Sequence, residues 1–195
     1  MTPIETPRLL LRNWRDEDRP LFHRINSDDT VMAFFPFRRS RDQSDALMDE
    51  LKADIDELGY GFAAAARRED GALIGFVGIQ EADLQPMLPA GTIEIGWRLA
   101  PEFWGHGYVT EAAEAWLAFG FETLGLAEIV SLAVHDNHRS TAVMRRLGMR
   151  HDPGRDFEHP RVSTASAALR KHVFYCLGRD EWRASRRSGA PPSVL

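Results

Sequence analysis

The chain is 195 residues long, with 44% apolar and 27% charged residues, and its 24 basic and 29 acidic side chains leave a formal charge of −5. This size and balance indicate one soluble globular domain, weigh against a dedicated nucleic-acid binder and suit an amine-bearing partner. A lone cysteine, Cys176, excludes a disulfide scaffold and a Cys-rich zinc site, and no apolar run approaches the ~20 residues that span a bilayer.

In chain order, Met1-Thr-Pro-Ile-Glu lacks the basic-then-apolar order of a secretory leader, so a cytoplasmic, reducing setting is expected. Leu9 to Leu11 open a strand that Arg15-Asp-Glu-Asp18 stops, and Asp18 is placed to cap a helix starting near Pro20. Ala46, Leu47, Leu51, Ile55 and Leu58 recur at helical spacing over 42–58, with Gly59 as the stop. Apolar runs at 62–66 and 73–79 around Glu69-Asp-Gly71 read as a hairpin. A Pro- and Gly-containing loop over 82–91 precedes a strand at 92–99. A helix over 108–124 presents Val109, Ala113, Trp116, Leu117, Gly120 and Leu124 on one face. Next come a strand at 129–134, a helix at 139–147 between Asn137 and Gly148, an irregular stretch at 153–170 and a last strand at 173–177. Residues 1–185 are taken as the domain and 186–195, rich in Pro, Gly and Ser, as a loose tail. The pattern is mixed α/β with one central sheet.

Two segments carry chemistry. In the first, a strand ends at Leu99 and Gly105-His106-Gly107 leads directly into a helix. Glycines there let the backbone approach a ligand, and the unpaired first amides of the helix, with its dipole, suit phosphate or pyrophosphate, although an ordinary turn has the same local pattern. Thr110 stands where a Rossmann fingerprint has its third glycine, and no GxxxxGK[ST] exists. In the second, a strand ends at Val134, Asn137 opens a helix and Ser140 follows one turn later; a plain helix cap at Asn137 is the alternative.

Thr6-x-Arg8-Leu-x-Leu-Arg12, Ile74-Gly-Phe-Val-Gly78, Trp104-Gly-His-Gly-Tyr-x-Thr-Glu-Ala112, Asn137-x-x-Ser140 and Leu147-Gly-Met149 occur in an order that resembles the GNAT-superfamily N-acetyltransferases, in particular their RimJ/RimL-type branch, through Glu181-Trp182. The resemblance implies a single-domain fold with a mixed, mostly antiparallel central sheet flanked by helices and a V-shaped opening between the strands ending at Leu99 and Val134. It implies acetyl-CoA as cofactor and direct attack by a primary amine in a ternary complex, the amine being a protein or peptide N-terminus or a small molecule. The backbone of Trp97, Arg98 and Leu99 is expected to pair with pantetheine, and Gly105, His106, Gly107, Tyr108, Val109 and Thr110 to hold pyrophosphate. Asn137 is expected on the pantetheine arm and Ser140 near the sulfur.

Many members have tyrosine seven residues after the asparagine to protonate the leaving thiolate; here Met144 has no proton to give, so Ser140 is the candidate hydrogen-bond donor. Glu94 is the candidate base, acting through water, unless it is only a solvated strand residue or half of an ion pair; Glu158 and His159 are the runners-up. Glu102 replaces the Gln or Arg common three residues before the first loop glycine, and His106 replaces a Lys or Arg. His135 and His138 lack the companions of a metal site, so no metal is expected, nor any nucleic acid or membrane. A monomer or homodimer is expected, and a non-catalytic acyl-CoA-binding or sensor module on the same fold is the alternative function.

Overall fold

In the computed structural model, which describes residues 1–187, the short apolar runs form strands and the polar, glycine-punctuated stretches between them turn the chain. Two sets of residues pack as units: Met1–Gln80 with Gly96–Ala115, and Glu81–Ile95 with Trp116 onward.

The first unit holds β1 (Ile4–Glu5), β2 (Leu9–Arg12), β3 (Phe62–Arg67), β4 (Leu73–Glu81, to Gln80) and the second half of β5 (Ile93–Leu99). β1 to β4 pair antiparallel in chain order, with Leu10 opposite Ala66 and Ala64 opposite Phe76. Beside them, β4 and β5 approach so closely at Gly75 (φ 145°) that a Cβ there would lie 2.2 Å from the Arg98 carbonyl oxygen. Helices α1 (Arg19–Ser27) and α2 (Arg41–Leu58) bury Phe22, Ile25, Met48 and Ile55 with Leu9, Leu11 and Ile74. The face of α2 differs from the one its apolar residues predict. Ser44, Met48, Leu51 and Ile55 are buried, whereas Ala46 and Leu58 face solvent, because tertiary packing outweighs the apolar count. Gly59 ends the helix in the left-handed conformation, as expected.

Asp18 also does other work than expected. It stands at the cap position of α1 but makes no cap bond to it. Its carboxylate accepts two bonds from Arg12, at 2.7 and 2.9 Å, and one from the Arg15 backbone N–H at 2.8 Å. Arg12 and Asp18 are both buried, so each neutralises the other where water cannot.

The second unit holds the first half of β5, β6 (Glu128–Val134), β7 (Arg150–His151), β8 (Phe157–Glu158) and β9 (Lys171–Gly178), with α4 (His138–Arg146) and α5 (Arg179–Arg187). β6 and β9 pair antiparallel over seven residues, from Glu128–Gly178 to Val134–His172, and β7 and β8 both pair with β9. Among the described residues the register pairing of β5 with β6 is parallel and consists of Glu94–Val130, with the Ser131 hydroxyl donating to the Ile95 carbonyl at 2.9 Å. The nine strands of the described chain are thus mixed in direction and mostly antiparallel, with helices flanking them.

The loop expected over 82–91 tucks Ala82, Leu84 and Leu88 against Val130, Phe174 and Cys176, which makes Cys176 a small core residue as its sequence context suggests. The irregular stretch at 153–170 carries β8 and two short 3-10 turns. α3 (Tyr108–Ala118) does not continue as an α-helix to Leu124; it widens into a π-type turn over Phe119–Thr123. Arg186 and Arg187 close α5, and the rest of the expected tail, 188–195, lies outside the described residues.

Removing one partner of a buried ion pair strands the other charge. Asp18→Ala is therefore expected to destabilise the protein by ~3–5 kcal/mol, whereas replacing both Arg12 and Asp18 by apolar residues of similar volume should recover most of that loss. Chemical denaturation of the single and double variants measures both.

Candidate active site

Strand β5 is carried past its end by the Ala100 N–H, which donates to the Ile74 carbonyl, and by the Trp104 indole, which donates to the Leu99 carbonyl at 2.8 Å. The chain then turns through Gly105 and Gly107, both at φ 77°, a conformation in which a side chain is strained. Nothing lies within 4 Å of where a Cβ on Gly105 would sit, so the surface over this turn is open. Within α3, the Gly107 carbonyl accepts from Glu111 N–H at 3.1 Å. The amides of Tyr108, Val109 and Thr110 precede that bond, and so point out of the first turn without an intrahelical acceptor. This is a concentration of N–H dipoles at the positive end of a helix, suited to an anion.

One carboxylate fixes the turn. Glu111 accepts from the Thr6 hydroxyl at 2.6 Å, the Arg8 backbone N–H at 2.7 Å and the Arg8 Nε at 2.6 Å. Arg8 also donates to the His106 carbonyl at 2.9 Å and lies 4.7 Å over the Tyr108 ring. Burial opposes ionisation of Glu111, but the bonds from Thr6 and Arg8 outweigh it and hold the carboxyl below its ordinary range. Thus the Thr6-x-Arg8 and Gly-His-Gly-x-x-x-Glu111 segments, about a hundred positions apart, form one hydrogen-bonded assembly. A cleft of about 480 Å³ opens beside it, lined by Pro7, Arg8, Arg67, Arg68, Glu69 and Tyr108. His106 offers its backbone to Arg8, and Glu102 pairs with Arg24 at 2.5 Å, which holds Glu102 below its usual range.

In the second unit, Asn137 caps α4: its Oδ1 accepts from the Ser140 N–H at 3.1 Å, which leaves the Asn137 amide N–H2 as its remaining donor. Ser140 is partly exposed in the first turn. Met144 is buried at 1% exposure, so the seventh position after the asparagine belongs to the core. Glu94 sits partly exposed on β5 opposite Val130. Glu158 on β8 is engaged by Arg170 at 2.7 Å. The His159 Nδ1 accepts from the Arg161 N–H at 3.2 Å, so its ring proton is on Nε2 and its lone pair is already in use. Burial, with the charges of His172 and Arg161, lowers the His159 pKa and keeps the ring neutral near pH 7. His135 pairs with its neighbour Asp136 at 3.0 Å, and among the described residues no group of three or more His, Cys, Asp or Glu is placed to hold a metal. No described helix is long and apolar enough to cross a membrane.

A family model described as an acetyltransferase (GNAT) domain matches residues 8–150. The uncharacterized N-acetyltransferase YnaD of Bacillus subtilis is 31% identical over 150 residues, covering 76% of this chain and 83% of its own. An Aspergillus fumigatus protein, FsC-acetyl coenzyme A-N(2)-transacetylase, is 26% identical over 183 residues, covering 92% of this chain and 77% of its own. The crystal structure of a GNAT-family acetyltransferase from Bacillus anthracis superposes with a TM-score of 0.76 at 23% identity, covering 92% of this chain and all of its own, a likeness of fold.

The Glu111 assembly has a measurable consequence. Because its folded-state pKa lies below the ordinary 4.5, its stabilisation is present above that pH and is lost as pH falls through the lower folded value. Glu111→Gln keeps the shape and removes the charge, and should cost ~1–3 kcal/mol at neutral pH. The gap between wild type and variant should close on acidification below pH 4.5, as followed by thermal melts across pH.

Proposed function

The chain belongs to the GNAT family of acetyltransferases, and from that premise we propose that it moves an acetyl group from acetyl-CoA to a primary amine, on a peptide N-terminus or a small molecule, by direct attack in a ternary complex. The observation that carries this reading is the open turn at Gly105-His106-Gly107, where a cradle of free amides meets a helix start braced by Glu111. A Cβ at either glycine would be strained in just the backbone that makes the cradle, so the residues present fit a pyrophosphate. The name of the Aspergillus relative, which specifies acetyl coenzyme A and an N(2) position, supports acetyl-CoA as donor and a nitrogen as acceptor.

The cofactor supplies an activated thioester. This chain's residues then have three tasks. The amides of Gly105 to Thr110 hold the diphosphate, and the backbone of Trp97, Arg98 and Leu99, with the Asn137 amide, holds the pantetheine arm. Glu94 orders a water that takes a proton from the acceptor ammonium, so that its nitrogen can bond to the acetyl carbon as the carbon–sulfur bond breaks. The Ser140 hydroxyl donates a hydrogen bond toward the departing sulfur. Glu158 and His159 remain substrate-side residues. Glu158 is ion-paired with Arg170 and the His159 Nδ1 accepts from the Arg161 N–H, which weighs against either as the base. The burial of Met144 favours one second reading, an acyl-CoA-binding module without turnover. Thiol release from acetyl-CoA in the presence of amines separates the two, because only an enzyme gives it.

Two substitutions test the assignment. Gly107→Val should raise the KM for acetyl-CoA about tenfold or more, through strain and loss of amide approach, and normal CoA binding by the folded variant would remove the phosphate assignment. Glu94→Gln should lower kcat/KM most near neutral pH and least at high pH, where free amine is abundant, with acetyl-CoA binding little changed. A wild-type pH–rate profile would instead shift the base to another group.

A further inference from the structure

Arg98 sits on β5 among apolar residues. Its backbone serves the reading above, but its side chain is a separate matter. The guanidinium lies 4.4 Å over the Phe35 ring and 5.3 Å over the Phe76 ring. Its one hydrogen bond among the described residues goes from Nη1 to the Asn26 Oδ1, at 2.5 Å. Asn26 is fully buried and anchors its own amide on the Phe22 carbonyl at 2.7 Å, so it holds Arg98 in place without neutralising it. No carboxylate lies within ion-pair distance of Arg98 among the described residues, and the charge acting on it is that of a second arginine, Arg39. Burial and Arg39 together pull Arg98 down to about 9, so it remains cationic at neutral pH. Arg39 is lowered by burial as well, partly offset by Glu50 at longer range, and stacks 4.7 Å over Phe37.

Two half-buried cations brought together with no ion-paired carboxylate among the described residues are a costly arrangement for folding alone. The surroundings are nonetheless well built. Arg38 donates to the carbonyls of Met32, Phe35 and Phe37 and pairs with Asp29, while the Arg39 N–H donates to the Asn26 carbonyl. These bonds hold Phe35 and Phe37 partly exposed, at 37% and 44%, beside the two guanidiniums. A planar guanidinium with free N–H groups, stacked on rings and flanked by exposed aromatic surface, matches a carboxylate or phosphate attached to an apolar body.

We propose that Arg98 and Arg39 receive an oxyanion of the acceptor, so that the amine acetylated is one that also bears a carboxylate or phosphate group, with its apolar portion packed on Phe35 and Phe37. The diphosphate of the cofactor has its own cradle at Gly105 to Thr110, which leaves this pair for the acceptor. The inference deepens the acetyl-transfer reading and names its substrate class.

The test compares matched acceptors on the wild-type enzyme, with rates referred to the free-amine fraction: phenylalanine against phenylalaninamide, and O-phosphotyramine against tyramine. The anionic member of at least one pair should have a kcat/KM about tenfold or more above its neutral partner, and the pair that shows it identifies the oxyanion. In Arg98→Gln, and separately in Arg39→Gln, that advantage should shrink to about threefold or less, and in Arg39→Gln, which lies outside the stretch assigned to pantetheine, the KM for acetyl-CoA should change less than about threefold. Equal rates for charged and neutral acceptors, or an Arg39→Gln defect that falls on the acetyl-CoA KM, overturn the proposal. Calorimetric titration of the same four compounds keeps it distinct from acetyl transfer. Arginine-dependent binding of the anionic acceptors without thiol release leaves the oxyanion site standing and removes the transferase reading, and binding without charge preference removes the site itself.

Discussion

The organisation of the candidate cofactor turn depends on the carboxylate of Glu111. A first helical turn with unpaired amides is a poor structural end by itself, because its donors lack partners and its two glycines have many other conformations available. Glu111 counters this by accepting three hydrogen bonds from Thr6 and Arg8. Arg8 then reaches back to the His106 carbonyl between the two glycines. The turn between β1 and β2, the glycine turn and the helix start become one charged, hydrogen-bonded unit, and the amides of Tyr108 to Thr110 stay available because other groups hold the backbone that carries them.

Strand β5 is used in two ways. Its backbone lies so close to β4 that Gly75 is required opposite Arg98, and a single 3-10 turn at Pro101–Phe103 carries the chain from its end to the glycine turn. Its side chains alternate, so Glu94, Gly96 and Arg98 share one parity, and all three are partly exposed, while Ile93, Ile95 and Leu99 are buried. The open parity bears the Glu94 carboxylate, a residue with no side chain, and a guanidinium held by Asn26 between Phe35 and Phe76.

Buried charge is treated in opposite ways within the first unit. Arg12 and Asp18 neutralise each other through two hydrogen bonds, and the Asn13 carbonyl and Arg15 N–H engage them further. Arg98 and Arg39 have aromatic rings and an amide for company instead of an ion-paired carboxylate among the described residues. The first arrangement specifies how β2 meets the start of α1. The second leaves positive charge that an anion can complete.

Much was legible from the sequence alone. The order of the six longer strands and of α1 to α4, the hairpin at Glu69-Asp-Gly71, the stop at Gly59, the cap at Asn137 and the glycine turn before α3 all follow from local rules of periodicity, capping and backbone freedom, which act over a few residues, whereas the two-residue strands β1, β7 and β8 and the helix α5 were not legible there. The order of the motifs likewise pointed to the acetyltransferase family. Only the tertiary structure decided which face of α2 is buried, that Asp18 answers Arg12 in place of capping a helix, that the 82–91 loop supplies core side chains, and that Thr6, Arg8 and Glu111 are partners. It alone set Arg98 beside Arg39, Asn26 and Phe35, whose positions in the chain give no hint of contact. The physical reason is the same in each case: side-chain pairing and burial depend on which distant segments share a low-dielectric space, and no local pattern encodes that.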